Sequence, residues 1–299
     1  MVENNLPYVW IIIPTWNRGP DLVECIKSLK SQTYENIDIV VIDNGSEDDT
    51  VNLVKNQYSE IQLLELGKNY GASYATNQGF KFALSHNADL IFRLDSDTIL
   101  AENYLELLVE FLNKEPDAGI VSGRIFSYYQ PEKIIYPGGD YWKWNLSPKY
   151  FDQLKNFDID DISPKEVKLL PSTGMLITRK TIERLKGFDE DYLVYYEDFD
   201  FCLRAVKSKI KLYMIPQARI WHKVFSQKKS DWIAIQWNRS KMIFYRKHAH
   251  NGFHKLFMIV YAFLYALVRS FIKDEERGNK GPTRSAFKGL INGLFTHLA

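Results

Sequence analysis

The chain has 299 residues, 45% of them hydrophobic and 25% charged, with a formal net charge of +1. Those values describe a folded globular chain with room for a sizeable core, and they exclude a disordered polymer. The charge is unevenly spread: Arg239–Ala299 carries 11 Lys/Arg against 3 Asp/Glu. An acidic body with a basic tail points the tail, and not the body, toward an anionic partner, so no nucleic acid is expected.

In chain order, Val9–Ile13 is a short β-branched apolar run, read as a buried strand. Leu22, Ile26 and Leu29 recur at helical spacing through Asp21–Ser31. Ile37–Ile42 is a second strand, Asp48–Gln57 a helix, Ile61–Leu66 a third strand, Ala72–Ser85 a helix and Leu90–Leu94 a fourth strand. Tyr104–Leu112 is helical and Gly119–Val121 resumes a strand. Strands alternating with helices predict an α/β fold with a doubly wound, mostly parallel, Rossmann-like sheet. Gly123–Lys165 reads as irregular and rich in Tyr and Trp. Leu170–Thr178 is strand-like, followed by a helix from Arg179. Phe199–Val206 is helical, Ile210–Ile215 and Arg219–Trp221 are two strand-like runs, and Ser230–Lys247, Lys255–Lys273 and Gly281–Leu298 are helices. Cys25 and Cys202 lack metal-ligand spacing and read as buried free thiols, suiting a reducing compartment. Met1–Pro7 has no basic stretch and Val9–Ile13 is too short for a secretory signal, so a cytoplasmic location is expected.

Sheets of this class bind ligands beyond the carboxyl ends of their strands. Those exits carry Pro14-Thr15-Trp16-Asn17-Arg18, Asp43-Asn44-Gly45-Ser46, Gly67-Lys68-Asn69 and Asp95-Ser96-Asp97. Two carboxylates at i and i+2 after a buried strand can aim at one point. Hard cations such as Mg²⁺ or Mn²⁺ take carboxylates together with substrate phosphates. The alternative is a turn whose Asp caps the next helix. Asp43 can accept from the imide N–H of uracil or thymine with Asn44 adding a contact, or it can simply form an Asx turn. Asn17 and Arg18 suit ribose or phosphate, or helix capping. Arg93, in the fourth strand, and Ser96, between the two acids, complete the nucleotide-sugar set with Pro14, Thr15 and Asn69.

Glu197 and Asp198 open a helix among aromatics. Acids there suit the helix dipole, but a partly desolvated carboxylate can also serve as general base. Asp198 is expected to be that base, and Glu197 a positioning or acceptor-side group. His222, ending a strand, is a competent third metal ligand. Trp142, in the aromatic middle, is expected to stack on acceptor sugar.

Taken together, Ile11–Arg18, Val41–Ser46, Asn69-Tyr70-Gly71, Leu94–Thr98, Gly174–Ile177, Gly187–Glu190, Tyr196–Asp200 and Ile220–Lys223 resemble the family 2 glycosyltransferases with the GT-A fold, and within them the rhamnosyltransferase-like group. The resemblance implies inverting transfer of a hexose-type sugar from a UDP- or dTDP-sugar to a glycan or lipid-linked acceptor, in cell-surface polysaccharide or glycoconjugate synthesis. It implies base recognition by Asp43 and metal-diphosphate binding by Asp95 and Asp97. Asp198 would then be the base, His222 a metal or diphosphate contact, and Gly174 a neighbour of the acceptor channel. Residues 1–250 would form the transferase domain, with 1–122 binding the nucleotide-sugar and 123–250 forming a mixed-sheet acceptor half. The competing readings are an inactive sugar-nucleotide-binding scaffold and a nucleotidyltransferase. The latter would show a Gly-rich, Lys-bearing loop after the first strand, which Pro14–Arg18 is not.

Residues 251–299 form a basic helical extension. Leu256–Ile272 is almost wholly apolar but short for a span and interrupted by Arg269. Peripheral contact with the inner face of the cell membrane is expected, with core or homo-oligomer packing and a true span as alternatives.

Overall fold

The structure, a computed structural model, describes residues 6–150, 160–223, 230–277 and 281–298. Its first half follows from the apolar runs. β1 (Val9–Thr15) is buried along nearly its whole length, and its side chains alternate between two cores. Val9, Ile11 and Ile13 face Leu22, Ile26 and Leu29 of α1 (Gly19–Lys30). Trp10 and Ile12 face Ala75, Phe80 and Ala83 of α3 (Ala72–Ser85). A strand apolar on both sides is what a sheet covered on both faces requires.

Among the described residues, ten strands make one mixed sheet. β4 (Leu90–Arg93), β1, β2 (Ile37–Asp43) and β3 (Gln62–Glu65) are parallel and adjacent in that order. On the other side of β4 the directions mix. β11 (Met175–Thr178) is antiparallel to β4 and to β6 (Ala118–Ser127), and β12 (Lys211–His222) is parallel to β6. β7 (Gln130–Tyr136) is antiparallel to β6, and β10 (Lys165–Val167) to β12. This is the expected α/β architecture, a parallel nucleotide-type half continued by a mixed half.

Three sequence expectations are corrected here, and one alternative is set aside. Over its described residues the middle is not irregular: β6 runs on to Ser127, β7 follows, and β8 (Gly139–Tyr141) and β9 (Pro148–Tyr150) form a separate hairpin, while 151–159 lie outside the described residues. The strand expected over Leu170–Thr178 shrinks to β11, because Gly174 at φ +74° turns the chain just before it. The two runs 210–215 and 219–221 are one strand, β12, with a register shift between Ile215 and Arg219. The turn after Asp97 does not cap a helix but enters β5 (Thr98–Leu100), antiparallel to β12.

The remaining helices are α2 (Thr50–Gln57), α4 (Tyr104–Lys114), α5 (Arg179–Leu185), α6 (Glu197–Lys207), α7 (Asp231–His248), α8 (Gly252–Arg277) and α9 (Gly281–Phe295). Both cysteines are free and buried. No helix among the described residues is long and apolar enough to cross a membrane.

Candidate active site

The Asp95-Ser96-Asp97 turn joins β4 to β5. In the pairing of β5 with the end of β12, His222 lies opposite Thr98, and the Lys223 N–H donates to the Asp97 carbonyl at 2.9 Å. That seam brings the His222 Nε2 to 3.0 Å from one Asp97 oxygen and 3.9 Å from Asp95. On the opposite side of Asp97 the Arg18 guanidinium stands at 3.8 Å while also pairing with Asp21 at 3.0 Å. Lys223 bonds Asp21 at 3.0 Å and Glu24 at 2.8 Å, fastening the end of β12 to α1. Asp95 pairs with the buried Arg93 and accepts the Thr173 hydroxyl.

Burial alone would raise the Asp95 pKa, but the charges of Arg93 and His222 and the hydrogen bonds of Thr173 and Arg93 hold it below the ordinary carboxylate range. For His222 burial would lower the pKa, yet the Asp97 hydrogen bond and the two carboxylate charges outweigh it and raise it. Beneath the turn, the Cys25 thiol lies 3.7 Å from the Asp95 carbonyl and is pushed up to about 12 by burial.

A second pair of acids begins α6. Tyr195 and Tyr196, just before them, both have positive φ (65° and 69°). Two successive non-glycine residues in that region are strained and persist only where packing over-determines them. Here the Trp237 ring lies 5.3 Å from Tyr195 and 5.2 Å from Tyr196, and Tyr196 also meets Phe199 and Phe244. The result lifts Glu197 and Asp198 toward Arg93. Asp198 accepts from the backbone N–H of Phe199 at 2.8 Å and of Ser172 at 3.4 Å, and its side chain remains partly open. Glu197 is buried, and among the described residues its Oε2 has no hydrogen-bond partner. Burial, then the Asp198 charge, raises Glu197 to about 8. Burial raises Asp198 to about 6, with two backbone N–H donors and Arg93 pulling the other way.

Gly174 links the two pairs. A Cβ there would lie 2.7 Å from the Tyr104 hydroxyl, which donates to the Gly174 carbonyl at 2.9 Å. The tight Ser172–Gly174 turn thus hands Thr173 to Asp95 and the Ser172 N–H to Asp198. Neither Ser172 nor Thr173 carries a signal in the sequence beyond lying next to Gly174. Tyr136 on β7, one of the aromatics of the middle, is also near both acid pairs. Burial first, then the charges of Asp198 and Asp95, raise its pKa.

The remaining strand exits are sewn into one rim. The Asp43 carboxylate accepts from the N–H groups of Gly45 and Ser46, both at 3.1 Å, so the Asx turn forms. Gly45 has φ +76°, and a Cβ would sit 2.4 Å from the Lys68 Cα. Asn44 donates to Asn69 at 3.1 Å and accepts from the Tyr70 N–H at 2.9 Å. Asn17 accepts from the Glu47 N–H at 2.8 Å and does not cap α1. Asn44 and Asn69 thus spend side-chain groups on each other. Pro14 and the buried Thr15 line the exit of β1, and Ser96 is buried within its turn. No contact among the described residues ties Trp142 to either acid pair. It is exposed on the β8–β9 hairpin, under the Lys149 ammonium at 4.5 Å from the ring centre.

The fold is that of the GT-A glycosyltransferases. The crystal structure of GalNAc-T7 with UDP, GalNAc and Mn²⁺ matches with a TM-score of 0.67 at 18% identity, over 88% of this chain and 51% of that one. Staphylococcus aureus TarS matches at 0.54 and 16% identity, over 83% of this chain and 41% of that one. The chain belongs to glycosyl transferase family 2, whose family model matches residues 10–185. Glu197, Asp198 and His222 lie beyond that stretch. Among relatives, Streptococcus pneumoniae glycosyltransferase GlyG is 32% identical over 42% of this chain, which spans only 42% of GlyG's own length. Shigella flexneri dTDP-rhamnosyl transferase RfbF is 23% identical over 72% of this chain and 69% of its own. The N-acetylglucosaminyl-diphospho-decaprenol L-rhamnosyltransferase of Mycobacterium tuberculosis is 24% identical over 71% and 75% respectively.

Proposed function

We propose that the protein transfers a hexose-type sugar, with inversion, from a dTDP- or UDP-sugar to a hydroxyl of a glycan or lipid-linked acceptor at the inner face of the cell membrane, in cell-surface polysaccharide synthesis. The observation that carries this is the meeting of two unlike acid pairs around Arg93 at the strand exits. Its support from relatives is the naming of dTDP-rhamnosyl and diphospho-decaprenol chemistry among them.

In this reading Asp43 accepts from the imide N–H of the base, with Asn44 beside it. Pro14, Thr15, Asn17 and Asn69 shape the ribose side, and Arg18 meets the diphosphate. Asp198 takes the proton from the acceptor hydroxyl as that oxygen attacks the anomeric carbon. The bond from that carbon to the diphosphate oxygen breaks, and the nucleoside diphosphate leaves with the electron pair. With a pKa of about 6, Asp198 is ionised at neutral pH and so able to act as base. Glu197, raised to about 8, keeps its proton there and can donate a hydrogen bond to the sugar or acceptor. Gly174 shapes the turn on the acceptor side.

Asp95, Asp97 and His222 each offer a ligand atom, all within 4.8 Å of one another. Oxygen and imidazole donors at that spacing fit a divalent cation such as Mg²⁺ or Mn²⁺. Such a cation, when bound, supplies positive charge against the departing diphosphate.

A thermal-shift panel of nucleotides and nucleotide-sugars, with and without Mg²⁺ or Mn²⁺, tests the reading. Uridine or thymidine diphosphate-sugars should raise Tm only when metal is present, and more than guanosine or adenosine counterparts. A Tm unmoved by every nucleotide in the presence of metal would overturn it.

A further inference from the structure

Through Val268, helix α8 is apolar on both sides, but among the described residues only one side is covered. Met258 and Ala262 are buried, and Ile259, Phe263 and Ala266 partly so, against the rest of the core. On the opposite side Phe253, Leu256, Val260, Leu264, Leu267 and Val268 recur at three- and four-residue spacing, each between 43% and 83% exposed. At the rise of an α-helix that stripe is about 22 Å long. A continuous apolar surface of this kind marks a docking face.

The β8–β9 hairpin extends the face sideways. Trp144, 52% exposed, packs edge-on against Tyr261 at 5.4 Å and leans on Phe257 at 6.3 Å. Its carbonyl is 3.1 Å from the His254 Nε2, and the Asn145 amide is 3.4 Å from the Tyr261 hydroxyl. Hairpin and helix are therefore one surface. Its rim is cationic. Lys143 and Lys255 are exposed, Lys149 covers Trp142, and Lys241 lies 4.9 Å from the Tyr265 ring centre.

We infer that α8 and the β8–β9 hairpin form a platform that lies flat on an anionic lipid bilayer. Apolar side chains at the centre, tryptophans beside them and lysines at the edge are the composition of a surface that sits in the headgroup zone. A second copy of the chain is the alternative occupant. A two-fold dimer through this face would set its lysine rim against an identical rim, whereas acidic headgroups neutralise it. Trp142, expected from sequence to stack on sugar, belongs to this platform. The inference deepens the acceptor side of the proposed reaction, and rests on that reading in one respect. The Tyr141 hydroxyl donates to the Phe199 carbonyl at 2.7 Å, joining the hairpin to the first turn of the helix that carries Asp198. A lipid-borne acceptor would meet Asp198 from the platform side.

The test is sedimentation of the full chain with vesicles of phosphatidylcholine alone or mixed with phosphatidylglycerol. The mixed vesicles should bind at least roughly tenfold more protein at low salt, and the excess should fall as salt screens the rim. Leu256→Glu with Val260→Glu, both at exposed positions, should abolish binding while leaving the metal-dependent nucleotide Tm shift unchanged. Lys143→Glu with Lys255→Glu, a milder surface change, should remove the preference for phosphatidylglycerol. Equal binding of wild type and the Leu256/Val260 variant would overturn the inference. So would indifference to phosphatidylglycerol, or a wild-type dimer that the same variant splits with no vesicle binding in either. Loss of the nucleotide response in wild type would instead sink the sugar-transfer reading and leave the vesicle result standing.

Discussion

Asp95 and Asp97 sit among donors and cations, whereas Glu197 and Asp198 sit behind aromatic rings with little but backbone and Arg93 to answer them. Asp95 is held below the carboxylate range by Arg93, His222 and Thr173, while Glu197 and Asp198 are raised to about 8 and 6 by burial. Three carboxyl groups around one guanidinium, those of Asp95, Glu197 and Asp198, could not all be ionised cheaply. The arrangement divides them: Asp95 stays charged beside Asp97 and His222, and Glu197 and Asp198 can exchange a proton.

Three experiments bear on that division. Asp198→Asn removes the basic oxygen but keeps the shape, so turnover should fall by roughly 10²–10⁴-fold, with nucleotide affinity within about twofold of wild type on calorimetry, since the substitution leaves the cation pair intact. Turnover close to wild type would move the base elsewhere. Asp97→Ala should weaken Mn²⁺-dependent binding of the nucleoside diphosphate by about tenfold, the loss of roughly one charge-assisted contact. Equal affinity of the two proteins in Mn²⁺ would contradict the cation site.

The smallest effect concerns stability. The folded pKa of Glu197 is raised from 4.5 to about 8, so its contribution is fully present below pH 4.5 and is lost as pH rises through 8. Glu197→Gln abolishes that loss. The Tm of the variant should therefore gain on wild type as pH rises from 4.5 to about 8, the window set by that shift. A difference independent of pH would show that Glu197 is not buried with its proton.

The parallel half was legible because each apolar run is both long enough to be a strand and flanked by turn residues. The strand-exit rule then places Asp43, Asn69 and Asp95 on one edge without knowledge of the partner strands. The mixed half resisted. β5 has three residues, and its strand character comes from β12, a distant partner that no local pattern announces. β8 and β9 have three residues each, and β7 is largely exposed, so alternation gives little signal there. His222 was a lone histidine until that pairing set it against Asp97. Arg93 reads as part of the nucleotide-sugar set from its place in the fourth strand, but its place near the α6 acids depends on where that helix packs. On the hairpin it is Trp144, not Trp142, that packs against α8, a contact no local pattern announces. The apolar length of 256–272 suggested a membrane contact, but not which side of the helix would be left open.

The β5–β12 seam also sets an order of assembly. Asp97 and His222 are 125 residues apart in the chain, and Asp95 and Thr173 are 78 apart. On a ribosome the parallel strands and their acidic turn emerge, and can begin to fold, well before either partner is synthesised. A nascent chain arrested before β12 holds two carboxylates and no imidazole to face them. The complete Asp95, Asp97 and His222 cluster is thus one of the last things the polypeptide makes, and its formation reports that the second half has docked.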